Sequence, residues 1–263
     1  MRAIQLILIA LVTLLSSCEG FFGKKTDLEF IDAPEFTNRD VAYVPIQPII
    51  EGFASPSDVI AGYDGLIYVV DEGAEQIISL DQAGREQGRA EIPGVTKIAM
   101  DRRLNILAIG TYDTTINDQA YTLAALYRLN INTAGGFGIG SMEVIDKLIH
   151  PYYFKSSFTS VDAEVRFTGI DVMADNTYYI TRTGPRDNSN QVGGSDDGIL
   201  LFNQNDDYIS NVFVTTGVGF FRDYFKTPVS ITTYAKPPQS NSVNESANFI
   251  VAMADPTVPI KVQ

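Results

Sequence analysis

The feature that most constrains this chain is a short structural sentence that it repeats. Residues 56–73 read PSDVIAGYDGLIYVVDEG. An apolar run at Val59, Ile60 and Ala61 meets a turn at Asp64-Gly65, and a strand from Leu66 to Val70 then ends on Asp71. Asp-Gly between two apolar runs signals a tight hairpin, because a primed turn needs the positive φ that Gly adopts without strain. Residues 77–80 (IISL) give a third strand and Gly84 another turn.

The same outline returns three times. Residues 97–100 (KIAM) lead through Asp101, Arg102 and Arg103 to 105–109 (NILAI), with a later strand at 125–129. Residues 169–172 (GIDV) lead through Asp175-Asn176 to 178–181 (YYIT), followed by 199–202 (ILLF) and a turn at 205–207. Residues 229–232 (VSIT) lead, across a polar insertion at 236–247, to 248–253 (NFIVAM), with a third strand expected at 260–262. Anchored on Val59, Ile98, Ile170 and Ile231, the spacings are 39, 72 and 61 residues. The shortest is about one four-stranded propeller blade, and the longer two read as a blade plus insertions. A repeated hairpin with a third strand cannot bury both of its faces and needs copies of itself as neighbours. Radial repetition therefore fits better than a sandwich, and the small, short inner strands suit a crowded centre. The expectation is an all-β fold, a β-propeller of four-stranded antiparallel blades.

The first unit resembles an NHL-type β-propeller repeat, with Pro56, Asp64, Gly65, Tyr68, Val69, Asp71 and Gly84 at the places that pattern specifies. At the position of Asp71 the second unit has Gly110, the third Arg182, and the fourth an acid again at Asp255. The resemblance covers residues 50–263 and implies a structural Asp71, whose carboxylate accepts N–H groups of the following turn. It also implies six blades where four units are visible. The chain is therefore expected to be a truncated six-bladed ring; further blades hidden in 130–165 are the alternative. A strand at 27–33 or 41–50 would lock the ring.

The N-terminus carries an address. Arg2 followed by a largely apolar stretch of 12 residues, 4–15, is too short to span a bilayer and reads as a signal peptide. Leu15-Ser16-Ser17-Cys18 resembles the lipobox of bacterial lipoproteins, which implies cleavage before Cys18 and lipidation of its thiol. The expected organisation is a signal peptide at 1–17, a lipid-anchored tether at 18–33 and a propeller domain at 34–263. Two or three acyl chains, at about 0.8 kcal/mol per buried methylene, hold such a protein to a membrane effectively permanently. The location this resemblance implies is the cell envelope, with the outer membrane as the expected membrane, although residues 19–27 carry no readable sorting signal.

Composition excludes several alternatives. With 45% hydrophobic residues the chain has enough apolar surface to fold. A formal charge of −13, with no basic stripe, argues against a nucleic-acid partner. One cysteine permits no internal disulfide, and one histidine excludes metal sites built from several imidazoles.

Candidate site residues are few. The glycine-rich run 135–140 lacks both a surrounding βαβ unit and a Walker lysine and reads as a loop, with a helix expected over 142–148. His150 sits beside Tyr152, Tyr153 and Phe154 without a pairing nucleophile. The acidic stretch 184–198 matches no calcium-loop spacing, and the sequon at Asn244 has no expected meaning in a bacterial lipoprotein. The aromatic groups Tyr152, Tyr153, Phe154 and Phe158, and Phe220, Phe221, Arg222 and Tyr224, suit a binding surface or inter-blade packing. The functional expectation is a binding or scaffolding module with a protein or glycan ligand and no cofactor. The alternative is a propeller enzyme, a metal-dependent hydrolase or lyase using ligands such as Asp171, Asp175 or Asn203 around the central channel.

Overall fold

The computed structural model describes residues 49–184, 197–212, 214–216, 219–221, 225–237 and 248–254. Among them every regular element except three short 3-10 turns is a strand. The first sheet is β1 (Pro56–Ala61), β2 (Ile67–Asp71), β3 (Gln76–Leu80) and β4 (Glu86–Glu91), in that order and antiparallel. The second contains β5 (Lys97–Met100), β6 (Ile106–Ile116) and β7 (Gln119–Asn130). After a small hairpin of β8 (Asn132–Thr133) and β9 (Gly136–Phe137), β10 (Glu143–Ile149) returns as its outer strand. The third is β11 (Arg166–Val172), β12 (Tyr178–Thr183), β13 (Gly198–Phe202) and β14 (Tyr208–Asn211). A hairpin of β15 (Val214–Thr216) and β16 (Gly219–Phe221) precedes the fourth unit, in which β17 (Pro228–Thr233) pairs with β18 (Phe249–Met253).

Among the described residues these are three complete four-stranded propeller blades and the inner hairpin of a fourth, in one unit that begins at Ile50. The uneven spacings come from insertions. Blade 2 lengthens its β6–β7 hairpin and inserts β8 and β9, and residues 150–165 separate it from β11; blade 3 carries residues 184–197 between β12 and β13 and is followed by the β15–β16 hairpin. Residues 130–165 therefore hold the outer strand of blade 2, the small hairpin and two 3-10 turns, not a further blade. Where a helix was expected over 142–148, the chain forms β10, because the outer edge of β7 offers a ladder of backbone partners that a helix would leave unpaired. The expected strands at 27–33 and 260–262 lie outside the described residues.

Five hairpin turns share one design, at residues 62–66, 81–85, 101–105, 173–177 and 203–207. In each, the first residue's N–H donates to the carbonyl of the fifth, at 2.7 to 3.0 Å, and the fourth residue's N–H donates to the carbonyl of the first. The fourth residue is left-handed: Gly65, Gly84, Leu104, Asn176 and Asp206, with φ between 65° and 83°. So the turn at Asp64-Gly65 is wider than the two-residue loop its dipeptide predicts, though it uses the glycine for the same reason. Asp81, Asp101 and Asn203 open their loops by accepting N–H groups two and four residues on, which is why short acids and amides occupy these places.

The core lies between blades. Side chains alternate along each strand, so one sheet feeds two cores. Tyr68, Val70 and Ile77 face blade 2 and pack with Ile98, Met100, Ile106 and Ala108. Leu107, Ile109 and Leu126, on the other face of blade 2, pack with Tyr178, Ile180 and Phe202 of blade 3. Tyr179 and Ile199 then pack with Ile231, Val251 and Met253 of the fourth unit. A buried ion network adds to the second of these interfaces. Arg128 donates from Nε and a terminal nitrogen to both Asp206 oxygens at 2.6 Å, and from its other terminal nitrogen to Asp101 Oδ2 at 2.6 Å, while Tyr178 donates to Asp206 at 2.7 Å. Burial alone would lower the Arg128 pKa, but the two carboxylates outweigh it and hold the guanidinium charged.

Candidate functional site

The innermost strand of each unit is hydrogen-bonded along one edge only, to its own second strand, and its other edge points to the centre. The four strands β1, β5, β11 and β17 succeed one another there and enclose a cleft of about 410 Å³. Most of their apolar side chains turn into the inter-blade cores, Ile98 and Met100 toward blade 1, Ile170 toward blade 2 and Ile231 toward blade 3, while Val59 is 62% exposed and lines the cleft. What remains for the cleft is largely polar, including Asp58, Tyr63, Lys97, Asp171, Ser230, Thr232 and Lys236.

Two aspartate–lysine pairs organise it. Asp58 on β1 accepts the backbone N–H of Ile98 on β5 at 2.9 Å, and its other oxygen is 3.7 Å from Lys97 Nζ. Lys97 also donates to the carbonyl of Ser57 at 3.1 Å. Across the cleft, Asp171 on β11 repeats the device. Its Oδ2 accepts the N–H of Thr233 at 2.6 Å and the Thr232 hydroxyl at 3.1 Å, and lies 2.8 Å from Lys236 Nζ. In both cases a carboxylate on one inner strand clamps the backbone of the next blade while a lysine balances its charge. Gly169 lets β11 and β17 approach closely, since a Cβ there would lie 2.9 Å from the Ser230 Cα. The Tyr63 phenol is pushed up to about 12 by burial, then by the negative charges of Asp171 and Asp101, so it is a hydrogen-bond donor at neutral pH.

The sequence had singled out Asp171 but not Asp58, Lys97 or Lys236. Polar residues in the runs SDVIA and KIAM carried the available signal, since a short strand buried on two faces reserves polar positions for an exposed edge. Asp175 and Asn203, named with Asp171 as metal ligands, instead shape their own turns: Asp175 accepts the Thr177 N–H and hydroxyl, and Asn203 accepts the N–H groups of Asn205 and Asp207. Among the described residues no three His, Cys, Asp or Glu side chains converge as a metal-holding group.

Asp71 is buried. Its carboxylate accepts the N–H groups of Ser55 at 2.7 Å and Ala54 at 2.8 Å and, more weakly, those of Gly73 and Ala74 in the turn expected to engage it, and these bonds hold its pKa below the usual range. His150, Tyr153 and Phe154 join an aromatic group between blades 2 and 3. Tyr153 lies 5.3 Å from Phe202 and 5.6 Å from Tyr208, ring to ring. His150 Nδ1 is 3.2 Å from the Tyr153 hydroxyl, and Nε2 is 3.3 Å from Asp162, a fully buried carboxylate also 3.0 Å from Lys155. Burial, with the charge of Arg182, lowers the His150 pKa to about 4 against the pull of Asp162, leaving a neutral packing imidazole. Tyr152 is 46% exposed, and Phe158 packs on Tyr121 at 4.7 Å. Phe220 and Phe221 fall on β16; Cys18, Arg222, Tyr224 and Asn244 lie outside the described residues.

No protein-family model matches the chain, and no curated protein matches it. Among solved structures it is similar to a protein of unknown function from Bacteroides caccae, at 12% identity and a TM-score of 0.40 over 76% of this chain and 53% of that one. It is also similar to virginiamycin B lyase from Staphylococcus aureus, at 10% identity and a TM-score of 0.31 over 73% of this chain and 61% of that one. The chain thus spans about half the length of the first and under two thirds of the second. The assignment of propeller blades rests on its own sheet order and inter-blade cores.

Proposed function

We propose that this protein is a lipid-anchored β-propeller of the bacterial cell envelope that works as a binding module, with its ligand received in the central cleft. The observation that carries the binding reading is the use to which the cleft's acids are put. Asp58 and Asp171 are both committed to the backbone of the neighbouring blade and to a lysine, so they hold the wall rather than stand ready as a general base or a metal ligand. The lipobox-like Leu15-Ser16-Ser17-Cys18 supports the anchor, and the NHL-like first unit supports the kinship.

Feeding cells an alkyne-tagged palmitate tests the anchor. The wild-type chain is expected to take up the label and sediment with membranes, and Cys18→Ser to lose the label and appear in the soluble fraction; an unlabelled wild type would overturn it. Turnover of a lactone, glycoside or peptide that stops on replacing a single carboxylate would overturn the binding reading.

A further inference from the structure

The chemistry of the cleft narrows the class of ligand, an inference that rests on the binding reading above. Its volume of about 410 Å³ lies in the range of small-molecule sites, about 300 to 1,000 Å³. Its charges cancel in place. Asp58 with Lys97 and Asp171 with Lys236 are neutral pairs, so an ionic ligand entering the cleft meets a like charge beside each opposite one and gains little net attraction. Ile98, Met100, Ile170 and Ile231 face the inter-blade cores, which leaves Val59 as the exposed large apolar side chain of the cleft, short of a greasy wall for a flat hydrophobic ligand.

What the cleft does offer is donors and acceptors: the exposed Ser230 and Thr232, the Lys97 and Lys236 ammonium groups beside the Asp58 carboxylate, which is part-exposed, and the centre-facing edges of the inner strands. A hydroxyl group can donate to a carboxylate and accept from an ammonium at once, and so adds to such a pair without separating it. Tyr63, protonated at neutral pH, adds a donor. We infer that the central cleft is a carbohydrate site for a short, uncharged oligosaccharide segment, read through its hydroxyls by Lys97, Lys236 and Thr232.

The test uses the full chain purified in detergent, with immobilised cello-, chito-, xylo- and malto-tetrasaccharides as neutral probes. Oligogalacturonate and short lysine- or glutamate-rich peptides are the charged probes. The expected result is saturable binding of a neutral sugar that is nearly unchanged when salt is raised about tenfold, since no net charge is screened. That sugar should protect Lys97 and Lys236 from reductive methylation. Thr232→Val and Lys97→Met should weaken binding about tenfold or more, each at an unchanged far-ultraviolet spectrum, and Thr232→Ser should restore it. Salt-sensitive binding of a charged probe that protects the same lysines would overturn the carbohydrate class and leave the binding reading standing. Failure of every probe to protect either lysine would overturn the site itself.

Discussion

At the scale of the residue, His150 shows how burial sets chemistry. Its imidazole is about 1% exposed, and its pKa falls from 6.5 in the unfolded chain to about 4 in the fold. The folded state therefore binds this proton less readily than the unfolded state. The stability associated with His150 is fully present above pH 6.5 and is lost as pH falls toward 4, a change on the order of 3 kcal/mol. Urea midpoints measured across pH 4 to 7 should fall on the acid side for the wild type, and His150→Gln should flatten that limb. A slope unaltered in the variant would assign the acid sensitivity to other groups. Asp71 teaches a related lesson. A structural role was legible from the repeat, but its main partners, Ala54 and Ser55, precede it by 17 and 16 residues and were not.

At the scale of the element, turns speak through local chemistry and strand partners do not. Four of the five left-handed turn positions fall on Gly65, Gly84, Asn176 and Asp206, residue types that tolerate them, with Leu104 the exception, and the hairpins formed where the sequence placed them. The extension of β6 and β7 is different. Its two-residue loop, Asn117-Asp118, has φ of 52° and 65°, the primed geometry that Asn-Gly serves best. Asp118 is exposed and pays a steric penalty there that glycine avoids. Asp118→Gly is expected to raise stability by about 0.5–1 kcal/mol in chemical denaturation; a loss of stability would show that the aspartate makes a contact worth more than its strain. The helix expected over 142–148 failed for the complementary reason. Local propensity had no knowledge of the open edge of β7, and β10 satisfies that edge through six paired positions.

At the scale of the molecule, each blade depends on its neighbours, and the Arg128 network measures that dependence. It joins the β5–β6 turn and β7 of blade 2 to the β13–β14 turn of blade 3, with all three charged side chains at 7% exposure or less. Arg128→Met leaves Asp101 and Asp206 buried without a cation and is expected to cost about 3–5 kcal/mol. For a chain of this size that lowers Tm by roughly 10 °C. Combining it with Asp206→Asn should cost less than the two single changes summed, because the second removes a charge that the first stranded. Additive losses in a double-mutant cycle would show that the network does not couple the blades.

By itself the sequence determined the all-β class, the repeated hairpin, the positions of the turns and the inner strands, because these depend on alternation and on short-range backbone chemistry. It also supplied Cys18 and its flanking residues, the basis of the proposed anchor. Only the tertiary structure decided that β10 completes blade 2, that His150, Tyr153 and Phe154 belong to an inter-blade core, and that Asp58 and Asp171 clamp successive blades. Those outcomes depend on pairings between residues 13 to 78 positions apart, such as β10 with β7, Asp58 with Ile98 and Arg128 with Asp206. No local pattern records such a pairing, since the free energy that selects it exists only once the partner strand is in place.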